Sequence, residues 1–257
     1  MDFTIKEYIR LLDSLISQHY TFQTFDEILR NPALRSIVLR HDVDLLPEHS
    51  LRFAKIQHER NIKGVYYFRA VPESWNENII KEIASLGHEV GYHYECLTTA
   101  NGDLEKGIAD FEKNLSALRK LVPVVTICMH GSPMSKYDSK DLWKKYDYRT
   151  YGIIGEPYFD LDFNTILYLT DTGRRWDGDK MSVRDKVNSA IKLKFHSTGQ
   201  IIEAANQGKM PDKIMFTFHP QRWNDNILAW FKELCLQNAK NVIKRFIYVR
   251  TRSKNDS

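Results

Sequence analysis

Nowhere in the chain do about 18 apolar residues run together, so no stretch reads as a membrane-spanning helix. Cysteine is scarce. Cys96, Cys128 and Cys235 are an odd number and lack the close spacing of a metal site or a disulfide framework. The start, Met1-Asp2-Phe3-Thr4-Ile5-Lys6-Glu7, has no basic segment followed by an apolar one and does not read as a secretory signal. These absences point to a cytoplasmic protein with reduced thiols. No Pro/Gly/Ser-rich linker, internal repeat or low-complexity tract divides the sequence, so residues 1–257 are expected to form one domain. Within it, 1–35 reads as an N-terminal helical extension and 245–257 as a basic tail. A strong excess of one charge is missing too: 37 Lys and Arg face 33 Asp and Glu, a net of +4. Much of that excess lies at Lys244, Arg245, Arg250, Arg252 and Lys254, too short a run to predict a nucleic-acid or lipid surface, and it reads as a solvated end.

What is present is enough for a full core, with 42% hydrophobic and 12% aromatic residues. Apolar positions Ile5, Tyr8, Ile9, Leu12, Leu15 and Ile16 predict an opening helix over Thr4–Gln18. Strand-like and helix-like segments then alternate. Strands are expected at 37–39, 64–68, 89–93, 124–129, 166–169 and 214–218. Helices are expected at 47–61, 78–86, 103–121, 182–193, 198–207 and about 226–243. Such alternation predicts a mainly parallel α/β sheet or barrel. The aromatic, irregular stretch Tyr137–Asn164 reads as an insertion or cover.

Four polar clusters fall at predicted strand ends: His41-Asp42-Val43-Asp44, Gly87-His88-Glu89-Val90-Gly91-Tyr92-His93-Tyr94-Glu95, Met129-His130-Gly131-Ser132-Pro133 and Phe216-Thr217-Phe218-His219-Pro220-Gln221. In a parallel sheet these ends share one rim, so the clusters converge. Asp42 and Asp44, two residues apart, share a face, while His41 points the other way. Convergent Asp and His suit a divalent metal, with zinc the first choice and cobalt or nickel the alternatives. Such an ion acidifies a water and polarises a carbonyl. A nearby carboxylate then acts as base, and a His protonates the leaving amine.

The order of these motifs resembles the polysaccharide deacetylase superfamily of metal-dependent carbohydrate esterases. The resemblance is carried by Asp42/Asp44, Gly64-Val65-Tyr66-Tyr67-Phe68, Gly87-His88-Glu89-Val90-Gly91-Tyr92-His93 and His219, and covers roughly residues 36 to 222. It is greatest to the cytoplasmic deacetylase-like proteins of O-antigen and surface-polysaccharide biosynthesis. It implies a distorted (β/α) barrel of about seven parallel strands. It also implies Asp42 as general base, Asp44 and His93 as metal ligands, and His219 as general acid. The family's second metal His falls at Leu97, which cannot ligate. His130 is the preferred substitute, Glu95 the next, and His88 reads as structural.

Asp171 is expected to orient His219 or Asp42. Arg174 and Arg175 are candidates for an anionic substrate group, and Trp176 and Trp223 for the apolar face of a sugar. The expected activity is removal of an N-acetyl or N-formyl group from an amino sugar that is nucleotide-linked, lipid-linked or part of an oligosaccharide. The main rival is a non-catalytic barrel binding a glycan or partner. A metal phosphodiesterase on the same scaffold is a third reading.

Overall fold

The computed structural model describes residues 1–132, 134–176 and 187–255, with side chains omitted at 240 and 243–255. Its elements are α1 (Ile5–Ser17), β1 (Thr21–Gln23), α2 (Phe25–Arg30), β2 (Ser36–Val43), α3 (Pro47–His58), β3 (Val65–Phe68), α4 (Glu77–Ser85), β4 (Glu89–Tyr94), α5 (Cys96–Thr99) and α6 (Leu104–Arg119). They continue with β5 (Ile127–Met129), α7 (Pro157–Asp160), β6 (Leu167–Thr170), α8 (Thr198–Asn206), β7 (Lys213–Phe218) and α9 (Ile227–Asn255).

Every strand pairing is parallel. The sheet runs β5-β4-β3-β2-β7-β6, with β1 beside the start of β2. Among the described residues β5 and β6 do not pair with each other, so these form an open, distorted (β/α) barrel of seven parallel strands, as expected. All carboxyl ends of its strands lie on one rim.

Local chemistry explains where the elements begin. The Thr4 side chain accepts the Glu7 N–H at the start of α1. Thr24 and Glu27 cap α2 reciprocally. Asp103 accepts the N–H groups of Glu105 and Lys106 ahead of α6. Gly87, at φ +87°, follows the last turn of α4 in the left-handed conformation that glycine adopts most easily.

Because side chains alternate across each strand, the register sorts the core into two faces. Val38, Val65, Tyr67, Cys128 and Met215 share one face with Phe25 and Phe163. Leu39, Tyr66, Phe68, Tyr92, Ile127, Phe216 and Phe218 pack on the other, against α1, α3, α6 and α8. Arg40, Asp42 and His93 belong to the first face, since Asp42 pairs with Tyr67, Tyr67 with Gly91, and His93 with Cys128. His41 is on the second, stacked between Tyr66 and Phe218, with Gln57 at 2.8 Å from its Nε2.

Several sequence expectations need correction. β2 extends through His41, Asp42 and Val43 rather than stopping at Leu39, because ladder bonds to β3 begin only at Arg40. β5 is three residues, not six, because the chain around Thr126 instead makes a single bridge to Gly155. In the expected helix 182–193, residues 182–186 lie outside the described residues, and 187–193 are not helical. β1 and α2 were not anticipated. Three residues are too few to show a period, and a six-residue helix owes its definition to its capping box. No helix among the described residues is long and apolar enough to cross a membrane.

Candidate active site

Asp42, Asp44, His93, His130 and His219 converge at the carboxyl rim. His93 Nε2 lies 3.7 Å from Asp42 Oδ2 and 3.7 Å from Asp44 Oδ1. His130 Nε2 lies 3.4 Å from the same Asp44 Oδ1. His219 Nε2 is 3.9 Å from an oxygen of each aspartate. These separations exceed a hydrogen bond, and Asp44 Oδ1 is buried without a hydrogen-bond partner. Donors sharing one tetrahedral ion at about 2.0–2.2 Å stand roughly 3.3–3.6 Å apart. Asp44 Oδ1 therefore stands near this separation from each of the two imidazole nitrogens.

The tautomers fit as well. His93 Nδ1 is 2.9 Å from the Cys128 carbonyl, which can only accept, so Nδ1 carries the proton and Nε2 offers its lone pair. Burial lowers the His93 pKa to about 4 against the pull of Asp42 and Asp44, which keeps the ring neutral near pH 7. His130 Nδ1 is 3.0 Å from Glu95 Oε2, so its Nε2 likewise faces Asp44. Burial disfavours the His130 cation, yet Asp44 and Glu95 together hold its pKa above the ordinary value. Arg69 pairs with Glu95 Oε1 at 2.6 Å. Against the upward push of burial, His130 and Arg69 bring Glu95 down to about 2. Glu95 thus stands behind His130 as its orienter.

Asp42 is braced by Arg40, whose Nε and Nη2 each donate at 2.7 Å to one of its oxygens. Both side chains are buried. Burial pushes the Asp42 pKa up, but Arg40, His93 and His219 outweigh it and hold the carboxylate below its ordinary value. Tyr158, from the expected cover segment, places its hydroxyl 3.2 Å from Arg40 Nη1. Arg40 escaped the sequence reading because it stood in an apolar run. Its spacing of two from Asp42 on one strand was the available signal.

Among the described residues, the set whose ligand atoms all lie within 4.8 Å of one another is Asp42, His93 and Cys128. Its chemistry suits an ion less well than its closeness does. Both Asp42 oxygens already accept from Arg40, and the guanidinium would stand beside the metal. The Cys128 side chain packs in the apolar cluster with Tyr67.

His219 is fixed by Asp171. Nδ1 lies 2.5 Å from Asp171 Oδ1, while Asp171 Oδ2 accepts the His219 backbone N–H at 2.9 Å and Trp223 Nε1–H at 2.7 Å. Asp171 is fully buried, and the opposing effect of His219 and Arg222 keeps its pKa below the usual carboxylate range.

The remaining expected residues are placed elsewhere. Trp223 and Trp176 are buried in the helix-side core with Phe3 and Phe218, so neither presents an open ring face to a sugar. Their bulk is taken up by packing, and the Trp223 polar edge by Asp171. Arg174 is buried at φ +55°, donates to the Trp230 carbonyl at 2.9 Å and stacks on that ring. It points under α9. Arg175 is exposed. Leu97 is buried in the apolar core. His88 accepts from Gly64 N–H at 3.1 Å and donates to the Ala54 carbonyl at 2.9 Å, a tie between strand and helix.

No protein-family model matches the chain, and no curated protein matches it by sequence. Among solved structures it is similar to a CE4 family pseudoenzyme from Bacillus anthracis, at 14% identity and a TM-score of 0.43, over 83% of this chain and 63% of that one. It is similar to a family 4 carbohydrate esterase from Streptomyces lividans in complex with acetate, at 11% identity and a TM-score of 0.40, over 79% and 86% of the two chains. A peptidoglycan N-acetylglucosamine deacetylase matches at 16% identity and a TM-score of 0.39, over 79% and 82%. The chain spans less than two thirds of the length of the pseudoenzyme. Likeness this remote assigns no chemistry, which rests on the side chains above.

Proposed function

We infer that the protein is a metal-dependent amide hydrolase that removes an N-acetyl or N-formyl group from an amino sugar. In this reading it acts in the cytoplasm, in surface-polysaccharide (O-antigen) biosynthesis, with residues 1–257 serving as one catalytic domain. The supporting observation is the convergence of an unpartnered Asp44 Oδ1 with two imidazole nitrogens, His93 Nε2 and His130 Nε2, beside a braced carboxylate and a carboxylate-held histidine.

In this reading Asp44, His93 and His130 hold the ion. A bound zinc, cobalt or nickel would supply Lewis acidity toward the acyl carbonyl and make a water acidic enough for a weak base. Asp42 takes the proton from the attacking water. Arg40 keeps that carboxylate ionised and aimed. The C–N bond breaks as His219 Nε2 delivers a proton to the departing nitrogen, giving a free amine and a carboxylate. Asp171 fixes the ring so that Nε2 faces the reaction and stabilises its cationic form.

Metal analysis combined with an acetate- and formate-release assay on N-acylated amino sugars tests the reading, with Asp42→Asn and His93→Ala as controls. Release by wild type only supports it. Equal release by all three proteins overturns it.

The buried Leu97 favours a second reading, a non-catalytic barrel that binds a glycan or a partner. A protein purified without metal, whose thermal stability responds to neither zinc nor a chelator, would fit that alternative.

A further inference from the structure

The helix α9 sets two amide side chains, together with Trp230 and Leu234, against the body. Gln237 and Asn241 are buried against the body, and Asn241 Nδ2 donates to the Gly173 carbonyl at 3.1 Å. Trp230 donates its indole N–H to the Asp2 carbonyl at 2.7 Å. On the opposite side Ile227 is 69% exposed, Leu228 81%, Phe231 60% and Val242 54%. At 3.6 residues per turn these four fall within roughly 100° of one another around the helix. An ordinary surface helix does the reverse and turns this stripe to the core.

The segment is also strongly basic in sequence. Residues 227–255 contain seven Lys or Arg and one acidic residue, Glu233, a net of +6. The whole chain is +4, so the rest sums to −2. A stripe of Leu, Ile, Phe and Val on a strongly basic helix matches the surface of a bilayer carrying anionic headgroups: apolar residues enter the boundary and the cations pair with the lipids. A second copy of the chain would instead place two helices of net +6 side by side. The sequence count alone read the basic end as solvated. The exposed stripe and its placement change that reading.

We propose that α9 is an interfacial helix that docks the protein on an anionic membrane surface without crossing it. The helix packs on the loop at Gly173 and Arg174, which follows Asp171, so docking holds that loop beneath the membrane-bound helix. Where the hydrolase reading also holds, this favours a lipid-linked amino sugar as substrate.

The test is co-sedimentation of the full chain with phosphatidylcholine vesicles and with vesicles containing about one-third phosphatidylglycerol. It needs neither metal nor substrate, so its failure is separate from failure of the hydrolase reading. The expected result is binding to the anionic vesicles, weakened by raising salt from roughly 0.1 M to roughly 1 M. Leu228→Glu and Phe231→Glu, both at exposed positions, should lower the partition coefficient by about tenfold or more with unchanged circular dichroism. Absence of vesicle binding overturns the proposal. So does binding untouched by both variants, or a self-associated wild type that these variants render monomeric.

Discussion

Glu95 Oε2 receives the His130 Nδ1 proton at 3.0 Å, with Ser132 Oγ at 3.0 Å from the same nitrogen, and this contact turns Nε2 toward Asp44. Glu95 is itself held by Arg69, so the orientation is transmitted from β3 through the end of β4 to the residue after β5. Sequence reasoning reached His130 as the substitute for the histidine missing at Leu97. It ranked Glu95 as a rival ligand, whereas Glu95 is the residue that orients His130.

Glu95→Gln should therefore weaken zinc binding while leaving the fold intact. The amide can present N–H to Nδ1 and favour the tautomer with its proton on Nε2, which cannot ligate. A loss of about 10–100-fold in metal affinity is expected, read by chelator competition. Nitrogen NMR shifts of His130 should report the tautomer change. An unchanged affinity and tautomer would remove Glu95 from the site.

The Asp171–His219 pair carries a second prediction. In Asp171→Asn the anion behind the imidazole is lost, although an oxygen remains for the Trp223 indole. Under the hydrolase reading the turnover number should fall by roughly 10²–10⁴-fold, with metal content unchanged. Loss of metal together with activity would show instead that Asp171 supports the rim as a whole.

Glu89 gives a prediction about pH and stability that is independent of function. It is partly buried on the face that carries Val65 and Tyr67, where its carboxylate accepts the Asp26 N–H at 2.8 Å and a short hydrogen bond from Thr126. Burial raises its pKa from 4.5 to about 7, against the pull of those bonds. Because the folded value lies above the unfolded one, its stabilisation is full below about pH 4.5 and is lost as pH rises toward about 7. In Glu89→Gln the amide oxygen keeps the Asp26 bond, and its NH₂ can donate to Thr126. Denaturant melts across this window should show wild type losing on the order of 3 kcal/mol more than the variant. Parallel curves would contradict the assignment.

The bidentate Arg40–Asp42 pair is buried on both sides, so breaking it costs more than it would on the surface. Arg40→Met should destabilise the protein by about 3–5 kcal/mol at neutral pH, since Asp42 is left as a lone buried carboxylate. A loss below about 1 kcal/mol by denaturant unfolding would mean that water reaches the pair.

The architecture was legible because it follows from alternation. Apolar runs punctuated by amphipathic helices specify a parallel sheet, and a parallel sheet gathers its carboxyl ends. The divergence of His41 from Asp42 follows from the pleat alone. What the sequence withheld were relationships across the fold. The Arg40–Asp42 brace depends on β2 running two residues past Arg40. Trp176 and Trp223 looked suited to a sugar, yet a large aromatic serves a core equally well, and here Phe3, Tyr8 and Phe218 enclose them. Arg174 looked suited to an anion, but its left-handed backbone turns it beneath α9. Neither the tryptophans nor Arg174 offer a period or a spacing that can be read along one chain.

In the proposed reading Asp44, His93 and His130 form a metal centre. Anomalous scattering at the zinc edge from crystals grown with zinc tests it most directly. One peak is expected at about 2.0–2.2 Å from Asp44, His93 Nε2 and His130 Nε2, with Glu95 outside bonding distance. A peak bound by Asp42, His93 and Cys128, or no peak on the carboxyl rim, would contradict it.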